Sequence, residues 1–210
     1  MEKKSPFIIN IGRSLGAGGR YIGKKLAEHF DISYFDKEIL ALAAKESGFT
    51  PEIFEKSDEN KGFLRSLINS IAPTMSGDFY SNQISDESLF RIQSDAIRKV
   101  AADRSCVFIG RCADYVLRNH PRCVNVFIAA DEEDRIKRIM ENAQTDEKTA
   151  KRMMTHGDTK RANYYNFYCN GKWGAAATYD LCINSSVLGL DGTFDFIKDF
   201  VIKKLELDKD

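Results

Sequence analysis

The sequence predicts an α/β fold, an open and mostly parallel sheet covered by helices on both faces. Three observations carry that expectation. Short apolar runs alternate with longer amphipathic ones, a glycine-rich turn joins the first apolar run to the first amphipathic one, and no internal repeat or low-complexity tract interrupts the alternation. With 210 residues the chain is long enough for one domain that carries insertions and still buries a sizeable core.

Each element follows from its own residues. Phe7-Ile8-Ile9-Asn10-Ile11 has the length and composition of a buried strand, and the glycine-rich loop 12–19 follows it. Ile22, Leu26 and Phe30 then recur at four-residue spacing on one helical face. Ile32-Ser33-Tyr34-Phe35 reads as a second strand ending in Asp36. From Asp36 to about Asp103 the pattern is helical, with Thr50 as an N-cap before Pro51 and a turn-rich connection over 73–85. A long helix starts near Asp86, with Leu89, Ile92, Ala96 and Val100 as its apolar stripe. Cys106-Val107-Phe108-Ile109 is the third strand, stopped by Gly110-Arg111, and Val124 to Ile128 the fourth. Asp131-Glu132-Glu133-Asp134 opens the next helix with acids, where the helix dipole favours them, and Ile136, Ile139, Met140 and Ala143 form its buried face. Residues 146–172 make a polar, basic and aromatic excursion. Tyr179 to Asn184 returns as a fifth strand, and a closing helix from Asp191 buries Phe194, Ile197, Val201 and Leu205. Insertions after the second and fourth strands fall at the strands' carboxyl ends, where such sheets bind ligands.

Composition narrows the function classes. Lys and Arg together number 31, as do Asp and Glu, so no global field draws in nucleic acid or an anionic membrane, and any polyanion site must be local. The polar start leads into an apolar run of only five residues, neither a secretory signal nor a span, so a cytoplasmic protein with small-molecule partners is expected. Cys106, Cys112, Cys123, Cys169 and Cys182 are odd in number and include no Cys-x-x-Cys pair, which fits buried thiols in a reducing compartment. The three histidines stand singly, without metal-ligand spacing.

The sharpest signal is Gly12-Arg13-Ser14-Leu15-Gly16-Ala17-Gly18-Gly19-Arg20-Tyr21 between the first strand and its helix. Glycines there let backbone N–H groups converge and aim a helix N-terminus at an anion, usually phosphate. The strict mononucleotide pattern G-x-x-x-x-G-K-[ST] fails, because Gly19 stands at the lysine position, Arg20 and Tyr21 where the hydroxyl belongs, and Arg13 for the first glycine. The dinucleotide pattern G-x-G-x-x-G fails at Tyr21. The spacing Gly12-x-x-x-Gly16-x-Gly18, with Asp36 for a ribose and Tyr168-x-x-x-Lys172, matches a short-chain NAD(P)-dependent dehydrogenase, but the chain has Gly110-Arg111-Cys112 where that family carries Asn-Asn-Ala-Gly.

The segments Arg13 to Arg20, Tyr34-Phe-Asp-Lys-Glu38, Phe108-Ile-Gly-Arg-Cys-Ala-Asp114, Arg161-Ala-Asn-Tyr-Tyr165 and Asp180 to Asn184 resemble the bacterial cytidylate kinase-like family, a divergent branch of the P-loop nucleoside monophosphate kinases. The resemblance implies a five-stranded parallel sheet of P-loop type in the order 2-3-1-4-5 within a single kinase-like domain. It further implies a helical acceptor insertion over about 37–104 and a basic lid over about 144–173, with ATP and Mg2+ as cofactors. The turn Gly12, Ser14, Gly16, Ala17, Gly18, Gly19, Arg20 and Tyr21 would bind the donor, and Asp36, Arg111, Asp114, Asp158 and Arg161 the acceptor side. Arg111 resembles the arginine of that family's Gly-Arg-Asp motif, its aspartate displaced to Asp114, and Asp158-Thr159-Lys160-Arg161 keeps half of the lid motif.

Phosphoryl transfer asks a protein mainly for in-line positioning and positive charge. The expected catalytic cations are Arg13, Arg20, Arg111, Arg152, Lys160 and Arg161, the loop arginines replacing the lysine that Gly19 lacks. Magnesium is expected on Ser14, on Asp36 or on water. Tyr164, Tyr165, Phe167, Tyr168 and Trp173 either stack on a base or pack the lid. A nucleotide-binding regulator without kinase activity is the non-enzymatic alternative.

Overall fold

The computed structural model describes residues 5–36, 86–169 and 171–207. The expectations for Thr50, Pro51, the segment 73–85 and the side chain of Leu89 lie outside the described residues. The chain divides into two compact units, Met1–Asp36 with Ala101–Asp210, and Lys37–Val100.

In the first unit five strands form one parallel sheet: β1 (Ile8–Arg13), β2 (Ser33–Phe35), β3 (Cys106–Ile109), β4 (Cys123–Ala129) and β5 (Leu181–Asn184), in the order β2-β3-β1-β4-β5. Ile8 pairs with Cys106 on one side and Cys123 on the other, and Ile11 with Ile109 and Val126, so β1 is central. Helix α1 (Gly19–His29) follows the glycine turn, and α2 (Asp86–Asp103) belongs largely to the second unit. Next come the single turn α3 (Ala113–Val116), then α4 (Glu132–Ala143), α5 (Glu147–Tyr168) and α6 (Ser185–Leu205). The main core joins Ile9, Ile11, Val107, Ile109, Val124, Val126 and Ile128 of the sheet to Ile22 and Leu26 of α1 and Ile197, Val201 and Leu205 of α6. A smaller cluster of Ile136, Ile139, Ala150 and Met154 packs α4 on α5.

Several boundaries move. β1 runs on to Arg13, because Gly12 and Arg13 pair with Phe127 and Ile128, so the turn proper is residues 14–18. The fifth strand begins at Leu181 rather than Tyr179, after a 3-10 turn over Ala176–Thr178. The closing helix begins six residues earlier than Asp191, at Ser185, whose helix is capped by Asn184 accepting from the Ser186 N–H at 2.9 Å and broken by Gly189 at φ 67° and ψ 175°. Ala143 is exposed in the last turn of α4. Cys182 is exposed because β5 is an edge strand, whereas Cys106, Cys112 and Cys169 are buried. Helix α5 ends at Tyr168, which removes the helical Tyr168–Lys172 pair that a dehydrogenase active site needs.

Candidate functional site

The turn between β1 and α1 is held rigidly by its surroundings. The Ser14 N–H donates to the Ile128 carbonyl at 3.0 Å, extending the β1–β4 ladder, and Ser185 Oγ donates to the Ala17 carbonyl at 3.0 Å. Gly16 and Gly18 both sit at φ 81°, the left-handed region that an L side chain resists. Gly18 serves as the N-cap of α1, so that helix points its N-terminus into the turn.

The Arg13 side chain packs over two glycines, Gly19 and Gly110. A Cβ on Gly19 would already lie 2.9 Å from Arg13 Cβ and Cγ, and a Cβ on Gly110 would collide with Arg13 Nη1. Any side chain at position 19 would therefore have to displace the stem of Arg13. The Arg13 side chain is 15% exposed, 3.7 Å from the Asp36 carboxylate, and Arg20 Nε reaches the other oxygen of Asp36 at 2.6 Å. Burial pulls the Arg13 pKa down to about 9, and Arg161, Arg111 and Arg20 push the same way while Asp36 opposes them. The guanidinium groups of Arg161, Arg111 and Arg20 thus act on that of Arg13 at the carboxyl end of β1, with Asp36 opposing them and Asp158 paired with Arg161. Crowded cations in a half-buried site favour an anion.

Arg111 stands in a strained turn. Gly110, Arg111 and Cys112 are left-handed in succession, at φ 70°, 61° and 55°, a conformation that costs an L residue about 1–2 kcal/mol and concentrates at functional sites. Asp114 does not face the cluster as expected of an acceptor ligand. It accepts a 2.5 Å hydrogen bond from Tyr165 Oη on α5, and burial raises its pKa. Tyr165 in turn lies beside Tyr179, and Phe127 meets Trp173 edge-on at 5.3 Å, so these aromatics pack α5 and its exit against the sheet. Next to Asp114, the Cys112 thiol is hydrogen-bonded to Cys169 and buried, both of which raise its pKa.

Helix α5 also reaches the turn. Asp158 Oδ1 accepts the Leu15 N–H at 2.7 Å, its other oxygen pairs with Arg135 of α4, and Arg161 lies 3.4 Å from Oδ1. Arg135 Nε donates to the Leu15 carbonyl at 2.7 Å and Arg138 Nη1 to the Gly16 carbonyl at 3.0 Å. In the sequence α4 shows only a packing face, Ile136, Ile139, Met140 and Ala143, and nothing in that periodicity marks either arginine. The available signal was their spacing, three residues apart, each directly preceding a buried isoleucine, Ile136 and Ile139.

Other expected residues lie elsewhere. Arg152 and Lys160 are exposed on α5, because its inner face is taken by Ala150, Met154, Gly157 and Tyr165. Tyr21 is 44% exposed and donates to Asp191 at 2.8 Å, on the outside of α1. Ser14 and Asp36 do not make a magnesium seat as they stand. Both Asp36 oxygens face guanidinium groups, and no group of three metal-ligating side chains exists among the described residues. No described helix is long and apolar enough to cross a membrane.

The fold is that of P-loop small-molecule kinases. The chain is similar to a shikimate kinase from Bacteroides thetaiotaomicron (13% identity over 96% of this chain and 99% of that one, TM-score 0.52). It is likewise similar to a gluconokinase from Sinorhizobium meliloti (11% identity over 97% and 96%, TM-score 0.55). An uncharacterized protein from Eubacterium ventriosum shares 32% identity over 96% of this chain and 99% of its own, with a TM-score of 0.67. None of the curated proteins compared matches. The sequence profile of the cytidylate kinase-like family matches residues 8–187, a span that takes in the turn, Asp36, the Arg111 loop and α5. With that match added to the sheet order and the glycine turn, the chain belongs to the cytidylate kinase-like family.

Proposed function

We propose that the protein is an ATP- and magnesium-dependent kinase that transfers a phosphoryl group to a nucleoside monophosphate, with CMP and dCMP as the first acceptors to test. The observation that carries this reading is the arginine cluster around Arg13 at the mouth of the glycine turn. A transferring phosphoryl group spreads negative charge over its oxygens, and fixed cations in a site withdrawn from water stabilise it most. Arg13 supplies the charge of the usual lysine, Asp36 fixes Arg13 and Arg20 side by side, and Arg111 approaches from the end of β3. Family membership supports a nucleotide acceptor. Magnesium would arrive on the donor's phosphates, since both Asp36 oxygens are engaged by guanidinium groups.

The test is ADP release from ATP and magnesium with a panel of nucleoside monophosphates, their deoxy forms, shikimate and gluconate, each against a no-acceptor control. Selective turnover with CMP or dCMP is the expected result. Turnover with shikimate or gluconate alone would move the acceptor class. Thermal stabilisation by ATP with silence across the panel would favour the nucleotide-binding regulator.

A further inference from the structure

We infer that the Asp158 carboxylate is an internal stand-in for a phosphoryl group: it fills an anion seat formed by the Leu15 N–H, Arg135 and Arg161, and a bound polyphosphate takes its place. The inference rests on the donor-phosphate reading of the glycine turn given above.

Three donors from three elements converge on this one side chain. The Leu15 N–H comes from the turn at 2.7 Å, Arg135 from α4, and Arg161 from α5 at 3.4 Å. The side chains of Arg135, Asp158 and Arg161 are 14%, 20% and 25% exposed, so the seat is largely withdrawn from water. Two guanidinium groups and an N–H thus converge on one carboxylate. A dianionic phosphoryl group, with three oxygens to accept from guanidinium forks, meets that set of donors more fully than a carboxylate does.

The seat belongs to the turn rather than to α5 alone. Arg135 Nε and Arg138 hold the Leu15 and Gly16 carbonyls toward α4, which fixes the peptide planes of the turn. Gly157, directly before Asp158, lets α5 lie close against Leu15, since a Cβ there would stand 3.0 Å from Leu15 Cδ2. The carboxylate and a phosphoryl oxygen cannot share the Leu15 N–H. Side by side in a half-buried site they would also repel. Donor binding and the docking of Asp158 are therefore mutually exclusive, and the contact that closes α5 onto the turn in the free protein must open for a nucleotide to enter.

The experiment is calorimetric titration of wild type and Asp158→Asn with ATP and with inorganic tripolyphosphate, no acceptor present. Loss of a competing charge-assisted contact should tighten binding of both ligands about tenfold or more in the variant. Binding by the variant alone would support the inference as well. Wild-type binding with equal or weaker binding by Asp158→Asn would overturn it and leave the donor-phosphate reading standing. No binding of either ligand by either protein would overturn both. Should Asp158→Asn fail to fold, the wild-type chain decides by NMR. Tripolyphosphate should then shift the Leu15 amide and the Asp158 carboxyl carbon together, and a Leu15 shift with an unmoved Asp158 carbon would sink the idea.

Discussion

The glycine turn and helix α5 are both cationic in sequence, yet they spend their charge in opposite directions. From Gly12 to Tyr21 both arginines, Arg13 and Arg20, reach Asp36. Of the five lysines and arginines in α5, only Arg161 turns inward, while Lys148, Lys151, Arg152 and Lys160 are exposed. The turn is fastened to β4 and α6 through its backbone, so its side chains have fixed directions. A long helix with one buried face has no such constraint on the rest of its circumference. Charge counted along a sequence locates an anion site only where the backbone is pinned on both sides.

The largest effect that this contrast predicts belongs to Arg13. Arg13→Ala should lower kcat by about 10²–10³-fold, the loss expected when one preorganised donor to a developing charge is removed. The Asp36–Arg20 pair remains in that variant, so the melting temperature should change little. Arg20 is 56% exposed, and Arg20→Ala should cost less, about tenfold. Steady-state ADP release beside thermal melts separates these outcomes. An Arg13→Ala enzyme with wild-type kcat would remove the turn's claim to the chemistry.

Glycine substitutions sharpen the same comparison through stability. Gly16 combines φ 81° with a close approach, since a Cβ would stand 2.6 Å from the Arg135 carbonyl oxygen, so Gly16→Ala should destabilise by about 1–3 kcal/mol. In α5, Gly157 has helical geometry and only the far end of Leu15 to displace. Gly157→Ala gains up to about 1 kcal/mol of helix propensity, which offsets that crowding and leaves a net change near zero. Urea denaturation of both variants reads the difference. Equal destabilisation would mean that the two segments are under the same constraint.

The same physics separates what was legible in the sequence from what was not. The central strands were readable because Ile8, Ile9, Ile11, Val107 and Ile109 are buried in apolar runs that only Asn10 interrupts, the mark of a parallel sheet covered on both faces. The glycine turn was readable because only glycine satisfies φ 81° at low cost. Helix α5 reads in sequence as a polar, basic and aromatic excursion because its buried positions are only Ala150, Met154, Gly157 and Tyr165, with the half-buried Arg161 on the same face, residues that share spacing but not hydrophobicity. For the same reason Asp158 was expected to meet the acceptor rather than Leu15, and Asp114 was expected beside Arg111's ligand rather than against Tyr165. Side chains that bind other side chains far along the chain leave no periodic trace.

Asp114 supplies a prediction from pH. Burial raises its carboxyl pKa, so the folded state holds that proton more readily than the unfolded chain. Its contribution to stability is then fully present below the unfolded value of about 4 and is lost as pH rises through the folded value. Asp114→Asn keeps an acceptor for Tyr165 Oη and removes the titration. The melting temperature of the variant relative to wild type should climb as pH is raised from 4 to 7. A difference that stays flat across that range would mean that Asp114 is not held in a desolvating site.

The smallest effects should come from the outer face of α5, and they test the contrast most directly. Arg152 lies near Asp146 at the start of the helix, and Lys160 points away from the buried stripe. Exposed ion pairs are worth about 0–1 kcal/mol and are weakened by salt, because water screens both charges and the long side chains lose entropy on pairing. Arg152→Ala and Lys160→Ala should therefore leave kcat and KM within about twofold of wild type and stability within about 0.5 kcal/mol. A tenfold loss of turnover in either variant, with unchanged melting, would show that the outer face of α5 turns toward the ligand during catalysis. The helix would then share the chemistry with the turn, and the direction of its cations in the free protein would describe only the state that nucleotide binding undoes.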